Sequence, residues 1–227
     1  MQNLSKMKKE YIDLSHTIKD GEITYKGLPA PIICDYLSRK DSEANYEKGT
    51  SFQIGKIEMV SNTGTYIDCP FHRYEDGKDL SAIELNQLAN LEGILIKVPY
   101  QQELAIGIEH FTGKQLRKKA VLVFTGWSNH WQTDQYFEDH PYLTAEAAEF
   151  LKENEVALVG IDSHNIDNTA KNTRPVHSIL LKEEILIVEH LNNLESLEGL
   201  DFTFSAIPPK IEGFGTFPVR AFACMDE

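Results

Sequence analysis

Residues 62–72 read N-T-G-T-Y-I-D-C-P-F-H and place four polar side chains at even positions, those of Asn62, Tyr66, Asp68 and His72. Side chains alternate along an extended chain, so these four share one side while Ile67 and Phe71 face the other. One wall therefore carries an amide, a phenol, a carboxylate and an imidazole, which are groups that bind metal ions and transfer protons. A solvated turn is the ordinary alternative for a short polar run containing Gly and Pro.

A second informative stretch covers residues 174–191, R-P-V-H-S-I-L-L-K-E-E-I-L-I-V-E-H-L. Pro175 predicts the start of a short helix, and residues 185–191 are typical of a buried strand. Glu189 is a carboxylate within that apolar run, and burying it costs several kcal/mol unless it is paired or bound to a cation. A wet strand end, a pair with Lys or Arg, and a ligand or catalytic role are all open for Glu189.

These stretches, with several others in the same order, resemble the cyclase family of metal-dependent hydrolases, whose best known members are bacterial kynurenine formamidases. Residues 62–72 resemble the family signature H-x-G-T-H-x-D-x-P-x-H, and His177 is followed by Glu189 at the family's spacing. The likeness runs from about residue 11 to the C-terminus. The other matching stretches are D-L-S-H (13–16), T-Y-K-G-L-P (24–29), T-G-W-S (125–128), H-P-Y-L-T (140–144) and L-V-G-I-D-S (158–163).

The resemblance implies which residues form the site. Asp68, His177 and Glu189 match the second of the family's two metal sites, and His72 matches its acid/base residue. The first metal site does not carry over, because Asn62 and Tyr66 stand where its two histidines are expected. A neutral amide and a phenol with a pKa near 10 are weak ligands, so we expect that position to be empty or weakened.

One imidazole and two carboxylates suit a single divalent ion, Zn²⁺ or Mn²⁺ first, with Fe²⁺ also compatible. Such an ion acidifies a bound water and polarises a carbonyl oxygen, the combination that hydrolyses amides and esters. The resemblance therefore implies an enzyme that hydrolyses a non-peptide C–N bond, either an arylformamide or a cyclic amide. The catalytic candidates are His72, Tyr66, whose hydroxyl could stabilise an oxyanion, and Asn62.

The two substitutions also allow a site without a metal. Asn62, Tyr66, Asp68 and His72 could form a hydrogen-bonded network that binds a small molecule, or does acid/base chemistry of the lactone or dehydration type. Asp68 could then orient and charge the His72 imidazole directly.

Strands and helices alternate along the chain, which favours an α/β class with a mixed sheet. The resemblance adds a barrel-like sheet core flanked by helices, as one domain over residues 11–227 after a flexible segment 1–10. Helices are predicted at 112–119 and at 144–154, where Thr144 is the N-cap. Strands are predicted at 53–60 (half-buried), 93–98, 120–125, 156–162, 202–207 and 219–224.

Composition narrows the function classes. The chain has 22 Lys+Arg and 35 Asp+Glu, a net charge of −13, which argues against binding nucleic acid or anionic membranes and leaves a small-molecule substrate. Residues 1–10 have no apolar run after their basic residues and are not expected to act as a signal peptide, and no stretch reaches the length of a membrane span. With three sparse cysteines (Cys34, Cys69 and Cys224), this predicts a cytoplasmic protein with reduced thiols, Cys69 facing away from the site. A homodimer or homotetramer is implied by the resemblance alone.

Other polar and aromatic residues allow two interpretations. Trp127 and Trp131 follow a predicted strand and could form an aromatic wall of the pocket or pack in the core or at an interface. Asp162 ends a predicted strand, where it could belong to a site or cap a turn. Three histidines in the family-like stretches could line the pocket, although a structural role is favoured for each: His16, His140 and His164.

Overall fold

A computed structural model describes residues 9–226. Within that range the strands are β1 Lys9–Asp13, β2 Ile32–Leu37, β3 Ile54–Glu58, β4 Tyr66–Asp68, β5 Leu91–Lys97, β6 Ala105–Ile106, β7 Ala120–Phe124, β8 Tyr142–Leu143, β9 Leu158–Ile161, β10 Leu186–Glu189, β11 Thr203–Ser205, β12 Thr216–Pro218 and β13 Phe222–Asp226. The α-helices are α1 Arg39–Glu43, α2 Ala145–Glu153 and α3 Pro175–Lys182, and short 3₁₀ turns include Pro70–His72.

Nine strands form one mixed sheet in the order β1-β13-β11-β5-β7-β9-β10-β4-β12, and it curls into a half-barrel. The central strands β5, β7, β9 and β10 run parallel to one another. The outer strands on both sides are antiparallel to their neighbours, among them β4 between β10 and β12. The predicted α/β class with a barrel-like mixed sheet is confirmed.

Hydrophobic side chains cover both faces of this sheet, as parallel strands require. On one face, Leu122 and Val188 pack with residues from the outer strands and loops, including Ile67. On the other face, Val121 and Ile187 pack against α2 and α3. Successive strand residues therefore enter opposite cores, which is why the strands read as continuous apolar runs.

Several predicted elements are confirmed. Helix α2 begins after Thr144, whose side chain accepts a hydrogen bond from the Ala147 amide, and α3 begins at Pro175. The five buried-strand predictions correspond to β5, β7, β9, β11 and β13, with shifted ends. The strand predicted at residues 185–191 forms as β10.

Two predictions need correction. No helix forms over residues 112–119 of the described chain, because Gly113 (φ +78°) and Lys118 (φ +59°) adopt left-handed backbone angles that a right-handed helix cannot contain. The strand predicted at 53–60 forms as β3, but all its residues are exposed rather than half-buried, since it pairs with β2 in a separate two-stranded ribbon.

The predicted flexible segment 1–10 falls mostly outside the described residues. Lys9 and Glu10 belong to β1, which pairs with β13. Across residues 9–226, no helix is both long and apolar enough to cross a membrane.

Candidate active site

A pocket of about 220 Å³ opens at the ends of β4 and β10. Its volume suits a molecule with one ring better than a drug-sized ligand. Five of the six site residues predicted from the sequence line this pocket: Asn62, Tyr66, His72, His177 and Glu189. Asp68, the sixth, is fully buried beside His72 and His177. The structure thus brings all six together.

Strand pairing sets this geometry. In the antiparallel pair β4–β10, Tyr66 stands directly opposite Glu189, and in the pair β4–β12, Asp68 stands opposite Thr216. Tyr66 and Asp68 are two positions apart, so they point to the same face, as the sequence predicts. Ile67 lies on the other face in the core, and Phe71 packs against the same cluster.

Two glycines shape the approach of the chain. Gly64 adopts φ +67°, a left-handed turn before β4 that glycine takes without strain. At Gly215 the reason is space, because an added Cβ would lie 2.3 Å from the His72 backbone nitrogen. The missing side chain lets β12 come close enough to His72 for Thr216 to contact it.

Asp167 fixes the orientation of His177. Its carboxylate accepts hydrogen bonds from the amides of Val176 and His177 at the start of α3, and from Nδ1 of the His177 ring at 2.7 Å. That arrangement leaves Nε2 of His177 directed into the site. Metal-binding histidines characteristically donate their other ring N–H to a carboxylate in this way.

The free Nε2 of His177 faces two buried carboxylates. It lies 3.6 Å from Oδ2 of Asp68 and 3.7 Å from Oε1 of Glu189. Both distances exceed a good hydrogen bond, yet they match two ligands that share one ion through bonds of about 2.0–2.2 Å. Oδ2 of Asp68 is buried and has no hydrogen-bond partner in residues 9–226. The donor set therefore fits a divalent cation.

The third donor can be chosen in two ways. Donor atoms of Asp68, His72 and His177 all lie within 4.8 Å of one another, a cluster that leaves out Glu189. Glu189 nevertheless lies beside His177, with Oε1 3.7 Å from the same Nε2 atom that faces Asp68. Asp68 and His177 are common to both sets.

The charges around His177 favour its protonated form when no ion is bound. Burial by itself lowers the pKa of His177, but the hydrogen bond to Asp167 and the nearby carboxylates of Asp68 and Glu189 raise it to about 10. A positive charge at this point is thus strongly preferred, and a metal ion supplies the same charge.

Tyr66 supports Glu189 rather than pointing a free hydroxyl into the pocket. Its hydroxyl donates to Oε2 of Glu189 at 2.5 Å, while the Ile166 amide donates to Oε1 at 2.6 Å. Burial, followed by the charges of Glu189 and Asp68, raises the pKa of Tyr66 well above its usual value. Tyr66 therefore remains a neutral phenol and a hydrogen-bond donor.

Thr216 connects Asp68 to His72. Its hydroxyl donates to Oδ1 of Asp68 at 2.5 Å and lies 2.8 Å from Nδ1 of His72. Because the hydroxyl has one proton, Nδ1 of a neutral His72 must be the donor in the second contact. Nε2 of His72 is then an acceptor, on a side chain that is 35% exposed.

Asn62 lies at the half-buried edge of the pocket. Its Oδ1 accepts a hydrogen bond from the Ser61 hydroxyl at 3.2 Å. Its Nδ2 has no partner within the described part of the chain, so an amide N–H is left to bind a ligand.

The two tryptophans and Asp162 lie outside the set of described pocket-lining residues. Trp127 is buried and donates to the Tyr136 carbonyl, and Trp131 stacks on His16 with ring centroids 3.8 Å apart. Asp162 accepts hydrogen bonds from Thr125 and Gly126, which makes it the cap of the turn after β7.

The three additional histidines are not among the described residues that line the pocket. His140 is satisfied by the Pro141 carbonyl and the Thr169 hydroxyl. His16 and His164 are packed among aromatic rings. Cys69 is buried in the core, facing away from the site, as predicted.

Sequence reasoning missed four residues that shape the site: Thr216, Asp167, Arg73 and Arg174. Thr216 lies far along the chain, in a three-residue strand with no apolar pattern, so nothing in the sequence points to it. Asp167 could have been found, since a carboxylate ten residues before a candidate ligand histidine can cap its helix. Arg73 directly follows the candidate His72, and Arg174 directly precedes Pro175 at the predicted helix start, so both adjoin stretches that the sequence singles out.

Comparison with known proteins agrees with this geometry. The family model described as "Putative cyclase" matches residues 12–168. A kynurenine formamidase of Bacillus anthracis is 28% identical over 221 residues, covering 93% of this chain and 96% of the relative. A kynurenine formamidase of Geobacillus thermodenitrificans is 31% identical over 180 residues, covering 78% and 82%.

Solved structures show the same fold. Isatin hydrolase A from Labrenzia aggregata superposes with a TM-score of 0.82 at 20% identity, covering 96% of this chain and 94% of that one. A potential metal-dependent hydrolase with cyclase activity superposes with a TM-score of 0.77 at 22% identity, covering 97% and 100%. The family match spans well over half of the sequence, so this chain belongs to the cyclase family.

Proposed function

We propose that this protein is a hydrolase that uses one divalent metal ion to cleave a non-peptide C–N bond, in an arylformamide or a cyclic amide. The observation that carries the proposal is the position of His177 Nε2, 3.6 Å and 3.7 Å from two buried carboxylates. The names of the relatives, which specify a formamidase and an isatin hydrolase, support the same bond type.

Asp68, His177 and Glu189 would hold the ion, with Zn²⁺ or Mn²⁺ as the first choices for one nitrogen and two oxygen donors. When bound, such an ion supplies a positive charge that polarises a carbonyl oxygen and favours deprotonation of water. Asp167 keeps the His177 ring in the tautomer that binds through Nε2.

His72 moves the proton. Thr216 holds Nδ1 of His72, so Nε2 is the atom that accepts a proton from water and returns it to the leaving nitrogen. Asp68 lies 3.8 Å from Nδ1 and stabilises the imidazolium that forms between these two steps. The exposed position of His72 at the pocket edge lets a substrate reach it.

Asn62 and Tyr66 orient the reacting groups. The free Nδ2 of Asn62 donates to the carbonyl oxygen of the substrate and holds it in place. Tyr66 acts through Glu189, as a positioning residue, because its proton is already committed to that carboxylate.

A second candidate function is favoured by one specific observation. Both oxygens of Glu189 are hydrogen-bonded, and Thr216 joins Asp68 to His72 without any ion. That network could serve a metal-free member of the family that binds a small molecule or does acid/base chemistry. It leaves Oδ2 of Asp68 unpartnered among the described residues, which favours the metal-dependent function.

Metal analysis with two matched variants separates these possibilities. We expect the purified protein, supplied with Zn²⁺ or Mn²⁺ and then desalted, to retain about one ion per chain by mass spectrometry. Glu189→Gln should lower both ion content and formamide hydrolysis, whereas His72→Gln should keep the ion and lose turnover. Loss of the ion in His72→Gln alone would assign the third ligand to His72. Ion content at trace level in the unmodified protein would support the metal-free function.

We further propose a cytoplasmic protein that assembles as a homodimer or homotetramer. The free thiols of Cys34, Cys69 and Cys224 suit a reducing compartment. Exposed apolar side chains on the β2–β3 ribbon support self-association, including Tyr36 and Ile57.

A further inference from the structure

Two arginines at the pocket have no acidic partner in the described part of the chain. Arg73 and Arg174 both line the pocket. Arg117 is paired with Glu155 and Arg220 with Asp13, whereas the exposed Arg39 has no acidic partner among the described residues either, so their place at the pocket is what distinguishes Arg73 and Arg174. Acidic residues outnumber basic ones by 35 to 22 in this sequence, so carboxylates are abundant and two unpaired guanidinium groups at one pocket call for an explanation.

Local structure joins the chain segments that carry these two arginines. Arg73 directly follows His72, and Arg174 directly precedes α3. Ser178 links them, because its hydroxyl donates to the Arg174 carbonyl at 2.8 Å and accepts from Nε of Arg73 at 3.0 Å. Both arginines line the same pocket, so an anion bound there meets two positive charges.

Most of the guanidinium donors remain available. Arg174 uses NH1 to bind the carbonyls of Lys171 and Thr173, which anchors the group and leaves its other nitrogens unpaired among the described residues. Arg73 uses only Nε. Paired N–H groups of this kind match the two oxygens of a carboxylate.

The positive charge of Arg174 extends into the pocket. Burial raises the pKa of the Tyr25 hydroxyl, as does the charge of Glu189, while the positive charge of Arg174 lowers it. Tyr25 lines the same pocket. The pocket is therefore polarised, with Asp68 and Glu189 at its base and the two arginines at its rim.

We propose that Arg73 and Arg174 bind a carboxylate group of the substrate, so that the enzyme selects anionic amides over neutral ones. This inference rests on the proposed amide hydrolysis and adds the class of substrate. A carboxylate at the rim, in a pocket of single-ring size, leaves the amide group of the same molecule to face His72 and Asn62. Arg73 and Arg174 are thus specificity-determining residues.

Binding of benzoate and benzamide tests the proposal without turnover. The two probes have nearly the same shape and differ in charge. We expect the zinc-loaded protein to bind benzoate roughly tenfold or more tightly than benzamide by titration calorimetry, and high salt to reduce the difference. Arg174→Gln and Arg73→Gln should each weaken benzoate binding by a similar factor and leave benzamide binding unchanged.

Matched controls distinguish benzoate binding by the two arginines from benzoate binding by the metal ion. Arg174→Lys should keep part of the preference for benzoate over benzamide. Arg220→Gln should keep all of it, because Arg220 does not line the pocket and is paired with Asp13. Zinc content and melting temperature are measured for every variant. Equal affinity for the two probes, no benzoate binding up to about 10 mM, or benzoate binding that depends on zinc but not on either arginine would each overturn the proposal. The metal analysis tests the hydrolase function separately, so failure of one does not imply failure of the other.

Discussion

At residue 216 a single hydroxyl joins the Asp68 carboxylate to the His72 ring. That hydroxyl decides which nitrogen of His72 carries the proton, and therefore which nitrogen can act as a base. The same contact gives the His72 ring a fixed direction.

Thr216→Val is therefore expected to lower kcat for formamide hydrolysis by roughly tenfold to a hundredfold, because the His72 tautomer is no longer fixed. With the metal ion supplied at saturating concentration, KM should change little and the pH–rate profile should shift, which a purely structural role would not produce. Thr216→Ser keeps the hydroxyl and should restore most of the rate. Equal rates for the Val and Ser variants would contradict the positioning role.

Tyr66 gives a second residue-scale prediction. Tyr66→Phe removes the donor to Glu189, and loss of such an outer contact commonly weakens metal binding by about tenfold to a hundredfold. Competition with a chelator measures this affinity. If kcat falls while ion affinity is unchanged, the phenol acts on the substrate directly, as the sequence allowed, and the positioning role is wrong.

At the scale of elements, the β2–β3 ribbon stands apart from the nine-stranded sheet and exposes large apolar side chains. Tyr36 is 77% exposed and Ile57 is 57% exposed. Exposed apolar patches of this kind mark interaction sites in soluble proteins. The alternation that predicts a half-buried strand at 53–60 is thus present, but this chain alone does not bury either face of the ribbon.

We expect Ile57→Glu to shift the protein from dimer or tetramer to a smaller species in light scattering coupled to size exclusion. A charge placed in an apolar contact is costly to bury. Lys56→Gln, on the neighbouring position of the same strand, is the control and should leave the mass unchanged. A monomeric unmodified protein would remove the assembly proposal.

At the scale of the whole molecule, the fold buries neutral histidines beneath the pocket. Burial lowers the pKa of His16 to about 4 and that of His164 to about 3, the latter with help from the charge of His140. Their usual value is near 6.5. At a pH between the lowered pKa of each histidine and its usual value, the unfolded chain binds a proton that the folded chain does not. The free energy of unfolding therefore falls as the pH falls below 6.5.

Each of these histidines should contribute a slope of up to about 1.4 kcal/mol per pH unit between pH 6.5 and its folded pKa. Urea titrations from pH 8 to pH 5, with a chelator present, measure the slope. His16→Gln should reduce this slope. The difference in the free energy of unfolding between the variant and the unmodified protein at pH 8 separately reports the packing lost on Trp131. Parallel curves for the variant and the unmodified protein would show that His16 is not a source of acid sensitivity.

The sequence by itself determined the α/β class, the main strands, the helices at Thr144 and Pro175, and the family. Those features depend on short-range periodicity, capping and motif order, which one chain displays directly. It also placed Tyr66 and Asp68 on one face of β4, because alternation is a local property of an extended chain.

The tertiary structure alone decided which partners those side chains meet. Thr216 lies 148 residues from Asp68, and Glu189 lies 123 residues from Tyr66, so their contacts depend on the pairing of β4 with β12 and β10. Likewise, the left-handed angles at Gly113 and Lys118 break a segment whose composition allowed a helix. Strand register and backbone handedness are set by long-range packing, which no local pattern in this sequence records.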